Sequence, residues 1–243
     1  MKPKFNLQNL RKVSKHPRLL LKSLRKLDEV TLSEDHLMIH LKELSKLKVS
    51  ENDLPPIKKV CQAIDLLSNS CYHTEYLYLV CKIFKPKVFI ETGVHYGSSS
   101  AFILEALYNT EGKLYSIDLP NVSYNKDLGG THVDRMSGNM ETGFLVSSNL
   151  RSNWVLKLGD SKVELPKLIE SIDSQVDIFH HDSMHTYDFM TFEFETVYPK
   201  LAVGGLLLSD DVTWNDAFED FCRKKSLDYV IYHGIGIAIK GKN

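Results

Sequence analysis

The sequence predicts an α/β fold, in which a seven-stranded, mostly parallel sheet ends in an antiparallel C-terminal hairpin and follows an N-terminal helical extension. From Lys87 onward, short apolar runs alternate with helical patterns, which is typical of a parallel sheet covered on both faces. The last two runs, 228–232 and 235–239, are joined by a tight link that contains glycine. Because a parallel crossover needs many more residues, these two strands must be antiparallel neighbours.

Residues 1–86 are predicted to form the N-terminal helical extension, which begins with a basic arm at residues 1–27. Lysine and arginine supply nine positive charges before the first acid, Asp28, although the whole chain has a net charge of −1. Two interpretations of the arm are open. It binds an anionic membrane surface or an acidic partner as a peripheral contact, or it is a solvated arm that packs on its own core or on a second subunit of a homo-oligomer.

After the arm, helices are expected over 31–50, 57–69 and 73–84, with a break at Asn52 to Pro56. Composition excludes several classes of protein. A net charge of −1 gives no electrostatic basis for binding nucleic acid. No apolar run reaches the ~18 residues of a transmembrane segment. The four cysteines lack the spacing of a metal site, so we expect a cytoplasmic chain with reduced thiols.

Residues 87–243 form the second predicted unit. Its strands are expected over 88–91, 113–117, 154–158, 176–181, 205–209, 228–232 and 235–239, and its helices over 98–109, 161–172, 186–198 and 215–224. One connection, residues 119–152, is unusually long and rich in Gly, Asn and Ser. Loops of this length are often functional, and this one follows the carboxyl end of a strand, where ligands bind in α/β sheets. We therefore predict a substrate-covering lid with a short helix near 141–149.

The central motif follows the first predicted strand. Glu91 ends the strand, Gly93 and Gly97 turn the chain, and a helix opens at Ser98 and Ser99. Unpaired backbone N–H groups at a helix start can bind a nucleotide-type ligand, and glycines permit positive φ or close approach of the backbone. The G-x-x-x-G spacing differs from the G-x-G-x-x-G fingerprint of dinucleotide binding, so NAD is the weaker interpretation.

Two later strands end in acids that are placed to contact a nucleotide-type ligand. Asp118 ends the second strand, where an acid can accept hydrogen bonds from both hydroxyls of a ribose; the alternative is an acid that caps a loop. Asp160 and Ser161 end the third strand and open a helix. Asp160 is expected to accept from an adenine amino group, to cap the helix, or to do both.

A third group of residues predicts the chemistry. Asp182 ends the fourth strand, His185 follows three residues later, and Asp210 and Asp211 end the fifth strand. Neighbouring strands would bring these three acids to one edge of the sheet, where they repel unless some are protonated or a cation joins them. Oxygen ligands suit Mg²⁺, Mn²⁺ or Ca²⁺, whereas helix capping is the alternative for Asp210 and Asp211. His185 is then placed to act as a general base, with a structural histidine as the alternative.

These motifs resemble a known family. The stretch from Glu91 to Ser99 is similar to the cofactor motif of class I S-adenosylmethionine-dependent methyltransferases, and in particular to the E-x-G-x-x-x-G-x-S form of catechol O-methyltransferase-like enzymes. Asp118, Gly159-Asp160 and the closing hairpin follow in the order of that family. His95 departs from the commoner E/D-x-G-x-G-x-G form. The acids and the histidine described above resemble those of metal-dependent O-methyltransferases that act on macrolide sugars.

The resemblance implies a Rossmann-like fold, S-adenosyl-L-methionine as methyl donor and a small-molecule hydroxyl, in a sugar or glycoside, as acceptor. Glu91 and the Gly93–Gly97 turn, with Ser98 and Ser99, would surround the methionine part. Asp118 would bind the ribose, while Asp160 and Ser161 would border the adenine. Asp182, Asp210 and Asp211 would hold Mg²⁺, and His185 would be the base. Asp182 would also take part in catalysis with His185 and contact the cofactor. Two other functions stay open: a metal-independent methyltransferase or related enzyme on the same scaffold, and a non-catalytic nucleoside-binding module.

Overall fold

The computed structural model describes Leu44 and residues 54–67, 74–119 and 141–241. The predicted basic arm, the helix over 31–50 apart from Leu44, and residues 120–140 of the predicted lid lie outside the described residues. What the sequence predicts about them therefore stays a prediction. In the described ranges, no helix has the length and apolar character required to span a lipid bilayer.

The described part of the chain contains six α-helices and seven strands. The helices are α1 (Pro56–Leu67), α2 (Tyr76–Phe84), α3 (Ser98–Leu107), α4 (Ser161–Ser171), α5 (Tyr187–Val197) and α6 (Ala217–Lys224). The strands are β1 (Val88–Thr92), β2 (Lys113–Asp118), β3 (Trp154–Leu158), β4 (Val176–His181), β5 (Leu201–Ser209), β6 (Asp228–Tyr232) and β7 (Ile235–Ile239).

The strands form one sheet in the order β3-β2-β1-β4-β5-β7-β6. The first five are parallel, and β7 pairs antiparallel with both β5 and β6. The predicted fold class is confirmed, including the C-terminal hairpin. Strand β5 begins earlier than predicted, at Leu201, because its first residues pair with the start of β4 before an irregularity that contains Gly204, with φ at 82°.

Helices cover both faces of the sheet, as the alternation of strands and helices predicts. Phe89 of β1 lies in a core with α1, α2 and α3, whereas its neighbours Val88 and Ile90 lie in a second core with α4, α5 and α6. This alternation is the two-residue period of a strand that is buried on both sides. Helices α1 and α2 therefore share a core with the sheet. The predicted division of the chain at residues 86 and 87 stays a prediction.

The segment that ends the long connection differs from the prediction. No α-helix forms near 141–149; turns lead instead into a 3₁₀ helix, Ser148–Asn153. The reason is that the backbone N–H groups of Gly143 and Leu145 donate to the carbonyls of His95 (2.8 Å) and Tyr96 (3.0 Å). These bonds hold the segment against the glycine turn, so the N–H groups are not available for a helix.

Candidate active site

At the carboxyl edge of the sheet, four acidic side chains lie on the same side of the sheet. On alternate positions, these strands place apolar side chains in the core beneath α1–α3, namely Phe89, Leu114, Ile178 and Leu208. The acids follow at even intervals after them, and are Glu91, Asp118, Asp182 and Asp210. Because side chains alternate along a strand, even spacing assigns the acids to that side. The structure thus brings together the acids that the sequence singles out at the ends of β1, β2, β4 and β5.

The glycine turn is shaped by contacts within the protein. Gly93 and Gly97 have φ values of 87° and 89°, which favour glycine. A Cβ atom on Gly93 would lie 1.8 Å from the carbonyl oxygen of Asp182, and one on Gly97 would lie 2.7 Å from the Cα of Gly143. The turn therefore packs closely against the end of β4 and against the segment that ends the long connection. Helix α3 begins at Ser98, as predicted.

Glu91 lies fully buried at the centre of a hydroxyl network. Its Oε1 accepts hydrogen bonds from Ser100 and from Ser116 (2.6 Å), and its Oε2 accepts one from Ser99 (3.1 Å). Burial raises the pKa of Glu91 to about 7, although the three hydroxyl groups act in the opposite direction. A buried carboxyl group with three donors can be an anion near neutral pH, as a partner for a cationic ligand requires.

Asp118 holds the glycine turn from the next strand. One carboxylate oxygen accepts from the backbone N–H of His95 (2.7 Å), and the other accepts from that of Leu119 (2.9 Å). Burial raises the pKa of Asp118, and these backbone hydrogen bonds lower it. The loop-capping role that the sequence leaves open is thus present here. The contact of Asp118 with a ribose stays a prediction.

Asp160 and Ser161 occupy the start of α4. The Asp160 carboxylate accepts from the backbone N–H of Lys162 at 2.8 Å, which is the helix cap that the sequence predicts as one option. The Ser161 hydroxyl is buried and donates to Glu193. The adenine contact of both residues stays a prediction.

His185 and Asp182 lie together beyond β4. The distance from His185 Nε2 to Asp182 Oδ1 is 4.0 Å, and His185 Nε2 has no hydrogen-bond partner within the described ranges. Burial, and then the nearby His181, lower the pKa of His185 to about 4, so the imidazole is neutral at physiological pH. Burial and the negative charge of Asp210 raise the pKa of Asp182 well above its usual value.

Asp210 and Asp211 follow β5, on the strand next to β4. The Asp210 carboxylate accepts from the backbone N–H of Asp211 (3.0 Å), and Asp211 has a positive φ of 49°. Both acids raise the pKa of Asp182 electrostatically, as expected of carboxylates at one edge. Within the part of the chain that the structure describes, however, no three His, Cys, Asp or Glu side chains are arranged to hold a metal ion. As they stand, the residues do not fit the predicted metal site.

A second buried acid, Glu193 of α5, is a residue that sequence reasoning misses. It accepts from Thr92 Oγ1 (2.6 Å) and Ser183 Oγ (3.1 Å), lies 2.7 Å from His181 Nδ1, and also accepts from Ser161. Burial favours a raised pKa, but His181 and the hydroxyl groups lower the pKa of Glu193 overall. These contacts join β1, α4, β4 and the Asp182–His185 loop.

Two aromatic side chains near the acids also escape sequence reasoning. The indole of Trp214 is 67% exposed, and its ring centre is 5.3 Å from that of His185. Tyr76 of α2 is buried, and burial together with Asp210 and Asp182 raises its pKa. The signal for Trp214 is its position four residues after Asp210. No pattern in the sequence marks Tyr76.

Comparison with known proteins identifies the family. A family model described as a methyltransferase domain matches residues 90–212, about half of the chain. The chain belongs to this methyltransferase family. The matched range contains every residue predicted for the site, from Glu91 to Asp211. No curated protein has a matching sequence.

Solved structures share the fold of this methyltransferase at low sequence identity. The O-methyltransferase TomG from Streptomyces achromogenes, solved in complex with SAM, is 15% identical with a TM-score of 0.50, over 87% of this chain and 100% of its own. A methyltransferase from Geobacter sulfurreducens is 16% identical with a TM-score of 0.50, over 84% and 97%. A Staphylococcus aureus protein described as a caffeoyl-CoA O-methyltransferase is 15% identical with a TM-score of 0.51, over 92% and 100%. These structures confirm the predicted fold, and the family match confirms the predicted resemblance to methyltransferases.

Proposed function

We propose that this methyltransferase transfers the methyl group of S-adenosyl-L-methionine to a hydroxyl of a small molecule, which we take to be a sugar or glycoside. The observation that carries the proposal is the family match over residues 90–212, because that range also contains the acidic edge around the glycine turn. The fold is shared with an O-methyltransferase that was solved with SAM.

The charge of the site supports this cofactor. S-adenosylmethionine carries a positive sulfonium and a positive ammonium group. A cation at the sheet edge favours the charged forms of Glu91, Asp118 and Asp182, whose pKa values burial raises. In the proposed complex, Glu91 and the Gly93–Gly97 turn surround the methionine part. Asp118 binds the ribose hydroxyls, and Asp160 borders the adenine at the start of α4.

The proposed reaction is a direct displacement. The acceptor oxygen forms a bond to the methyl carbon while the bond from sulfur to that carbon breaks, and the cofactor leaves as neutral S-adenosylhomocysteine. His185 takes the hydroxyl proton on Nε2, since this nitrogen makes no other hydrogen bond in the described structure. Asp182 Oδ1 lies 4.0 Å from this nitrogen, and the negative charges of Asp210 and Glu193 favour the protonated imidazole. Since the sulfonium is already reactive, the protein contributes mainly by orienting the two reactants.

Trp214 supports an acceptor that contains a ring. Its exposed indole presents a flat apolar surface next to His185. The backbone under it is fixed, because Trp214 N donates to the carbonyl of Asp211 (3.1 Å) and the Asn215 side chain donates to that of His185 (3.1 Å). An aromatic surface held in this way can pack against one face of a sugar ring and bring a hydroxyl to His185.

Assistance by a divalent ion at Asp182, Asp210 and Asp211 stays a hypothesis from the sequence. The second candidate function, a metal-independent methyltransferase, is favoured by the absence of a metal-holding group among the described side chains. The reaction above therefore contains no step that depends on a metal. Methyl transfer that persists after dialysis against EDTA, and is not raised by added Mg²⁺, would support the metal-independent form.

The test of the proposed function combines binding and turnover. Calorimetry of the full chain with S-adenosylmethionine should detect binding, and labelled methyl should move from the cofactor to hydroxylated sugars or glycosides in a panel of acceptors. The His185→Gln variant should still bind the cofactor but lose turnover by about 100-fold or more, since it lacks the base. Binding without any transfer would favour the nucleoside-binding module, and no binding at millimolar cofactor would refute both enzyme forms.

A further inference from the structure

A chain of hydrogen bonds crosses three neighbouring strands and ends on Glu91. Trp154, the first residue of β3, donates its indole Nε1–H to Ser116 Oγ of β2 at 2.7 Å. Ser116 donates in turn to Glu91 Oε1 of β1 at 2.6 Å. The strand register explains the path, because Ser116 pairs directly with Glu91 and Trp154 pairs with Leu114, two residues before Ser116.

The direction of these bonds is fixed by chemistry. An indole N–H can only donate, so Ser116 must use a lone pair to accept it, and its own proton points to Glu91. Among the described residues, Glu91 Oε1 then accepts from both Ser116 and Ser100, whereas Oε2 accepts from Ser99 alone. The oxygen that keeps room for a further hydrogen bond is therefore Oε2, beside Ser99 in the first turn of α3.

We propose that Ser116 and Trp154 are positioning residues for the methionine part of the cofactor, because they fix Glu91 with Oε2 toward the cofactor ammonium group. The inference rests on the proposed function, since it assumes a cofactor of this class at the glycine turn. It assigns a role in binding to two residues that lie on β2 and β3, outside the turn itself.

The indole is held in place independently of Glu91. A Cβ atom on Gly143 would lie 2.3 Å from the Trp154 ring, so the ring packs directly on the backbone of the segment that ends the long connection. The Arg151 guanidinium lies over the ring at 5.3 Å, and Arg151 also donates to the carbonyls of Val146 (3.1 Å) and Gly143 (3.2 Å). This segment thus sets the orientation of the indole N–H that donates to Ser116. Through Ser116, the segment is linked to the carboxylate of Glu91.

If Ser116 and Trp154 served only to join the strands, the buried carboxylate of Glu91 would not be needed. Three strands can be joined by apolar side chains, whereas a buried carboxylate lowers stability unless all its hydrogen bonds are made. The arrangement is expected where the charge of Glu91 has a ligand to bind. The two roles also differ in a measurable way, because a positioning role affects only ligands that carry the amino-acid part.

The experiment compares two ligands by calorimetry. S-adenosylhomocysteine contains the amino-acid part, whereas 5′-methylthioadenosine retains adenine, ribose and sulfur but lacks it. Ser116→Ala should weaken S-adenosylhomocysteine binding about 10-fold or more, since a hydrogen bond to a charged group is lost. Trp154→Phe, which keeps an aromatic ring, should weaken it about 3-fold. Both variants should bind 5′-methylthioadenosine within 2-fold of wild type, which also shows that they are folded.

Two further variants sharpen the comparison. Ser171→Ala removes a serine hydroxyl that donates to Leu168 on α4, and should leave the affinity for both ligands unchanged. The double variant Ser116→Ala/Trp154→Phe should bind S-adenosylhomocysteine as weakly as Ser116→Ala alone, because Trp154 acts through Ser116. Additive losses, equal losses for the two ligands, or wild-type affinity of Trp154→Phe for S-adenosylhomocysteine would overturn the inference. If wild type binds neither ligand, the proposed function itself fails.

Discussion

Replacing Gly93 by alanine should destabilise the protein far more than the same change at Gly204. Both glycines have similar positive φ values, 87° and 82°, so an alanine meets similar backbone strain at either position, about 1–2 kcal/mol. The surroundings differ. A Cβ atom on Gly93 would be 1.8 Å from the Asp182 carbonyl oxygen, whereas one on Gly204 would have no neighbour within 4 Å.

The clash at Gly93 cannot be relieved by rotating a side chain. Asp182 is tied to β1 by the hydrogen bond from its N–H to the Thr92 carbonyl at 2.9 Å, so the strand ends must move apart together. Overpacking of this kind typically costs about 1–3 kcal/mol, and sometimes more. We therefore expect Gly93→Ala to lower the free energy of unfolding by about 2–5 kcal/mol, against about 1–2 kcal/mol for Gly204→Ala.

Urea denaturation of wild type and both variants measures this difference. The midpoint should fall much further for Gly93→Ala, while similar slopes would show that the same surface is exposed on unfolding. Gly93→Ala should also lose methyl transfer, because Asp182 is displaced, whereas Gly204→Ala should retain it. Equal losses of stability in the two variants would refute the reasoning, since strain alone would then explain both.

Three other outcomes follow from the site. Trp214→Ala should raise KM for the acceptor about 10-fold with a smaller change in kcat, because it removes an apolar contact that contributes about 1–2 kcal/mol to binding. An unchanged KM would exclude the indole from the acceptor site. Asp182→Asn should abolish methyl transfer but change the Kd for S-adenosylmethionine only a few-fold, as isothermal titration would detect; a lost affinity would assign Asp182 to cofactor binding instead. Folding raises the pKa of Glu91 from 4.5 to about 7, so the folded state binds this proton more tightly than the unfolded state. The resulting stabilisation is fully present below pH 4.5 and is lost as the pH rises to about 7. Glu91→Gln should flatten this part of the stability profile, which amounts to about 3 kcal/mol in wild type, and a profile that is equally steep in both proteins would contradict the pKa.

The sequence predicts the fold well because the fold depends on local patterns. Short apolar runs bounded by polar residues locate the strands, and the two-residue link between β6 and β7 requires an antiparallel pair. The even spacing of an acid after the apolar residues of a strand, as with Glu91 two residues after Phe89, also indicates the side of the sheet on which the acid lies. The outline of the site is therefore predictable from single strands.

The remainder of the site depends on contacts between distant segments. Nothing near Glu193 in the sequence indicates that it meets Thr92, which is 101 residues away. Likewise, the helix predicted near 141–149 fails because Gly143 and Leu145 donate to His95 and Tyr96 across almost fifty residues. Helical periodicity cannot anticipate a competing hydrogen-bond partner that only tertiary structure supplies.

The two buried acids have a consequence for how the chain folds. Glu91 accepts from Ser116, 25 residues away, and Glu193 accepts from Thr92, 101 residues away. Such partners meet only after the central strands have paired, since contacts between distant residues form late. A collapsed intermediate would bury both carboxyl groups before their donors arrive, and protonation would then lower its free energy. Refolding should therefore accumulate more of this intermediate in mildly acidic buffer, with the site as the last region to gain protection from hydrogen exchange.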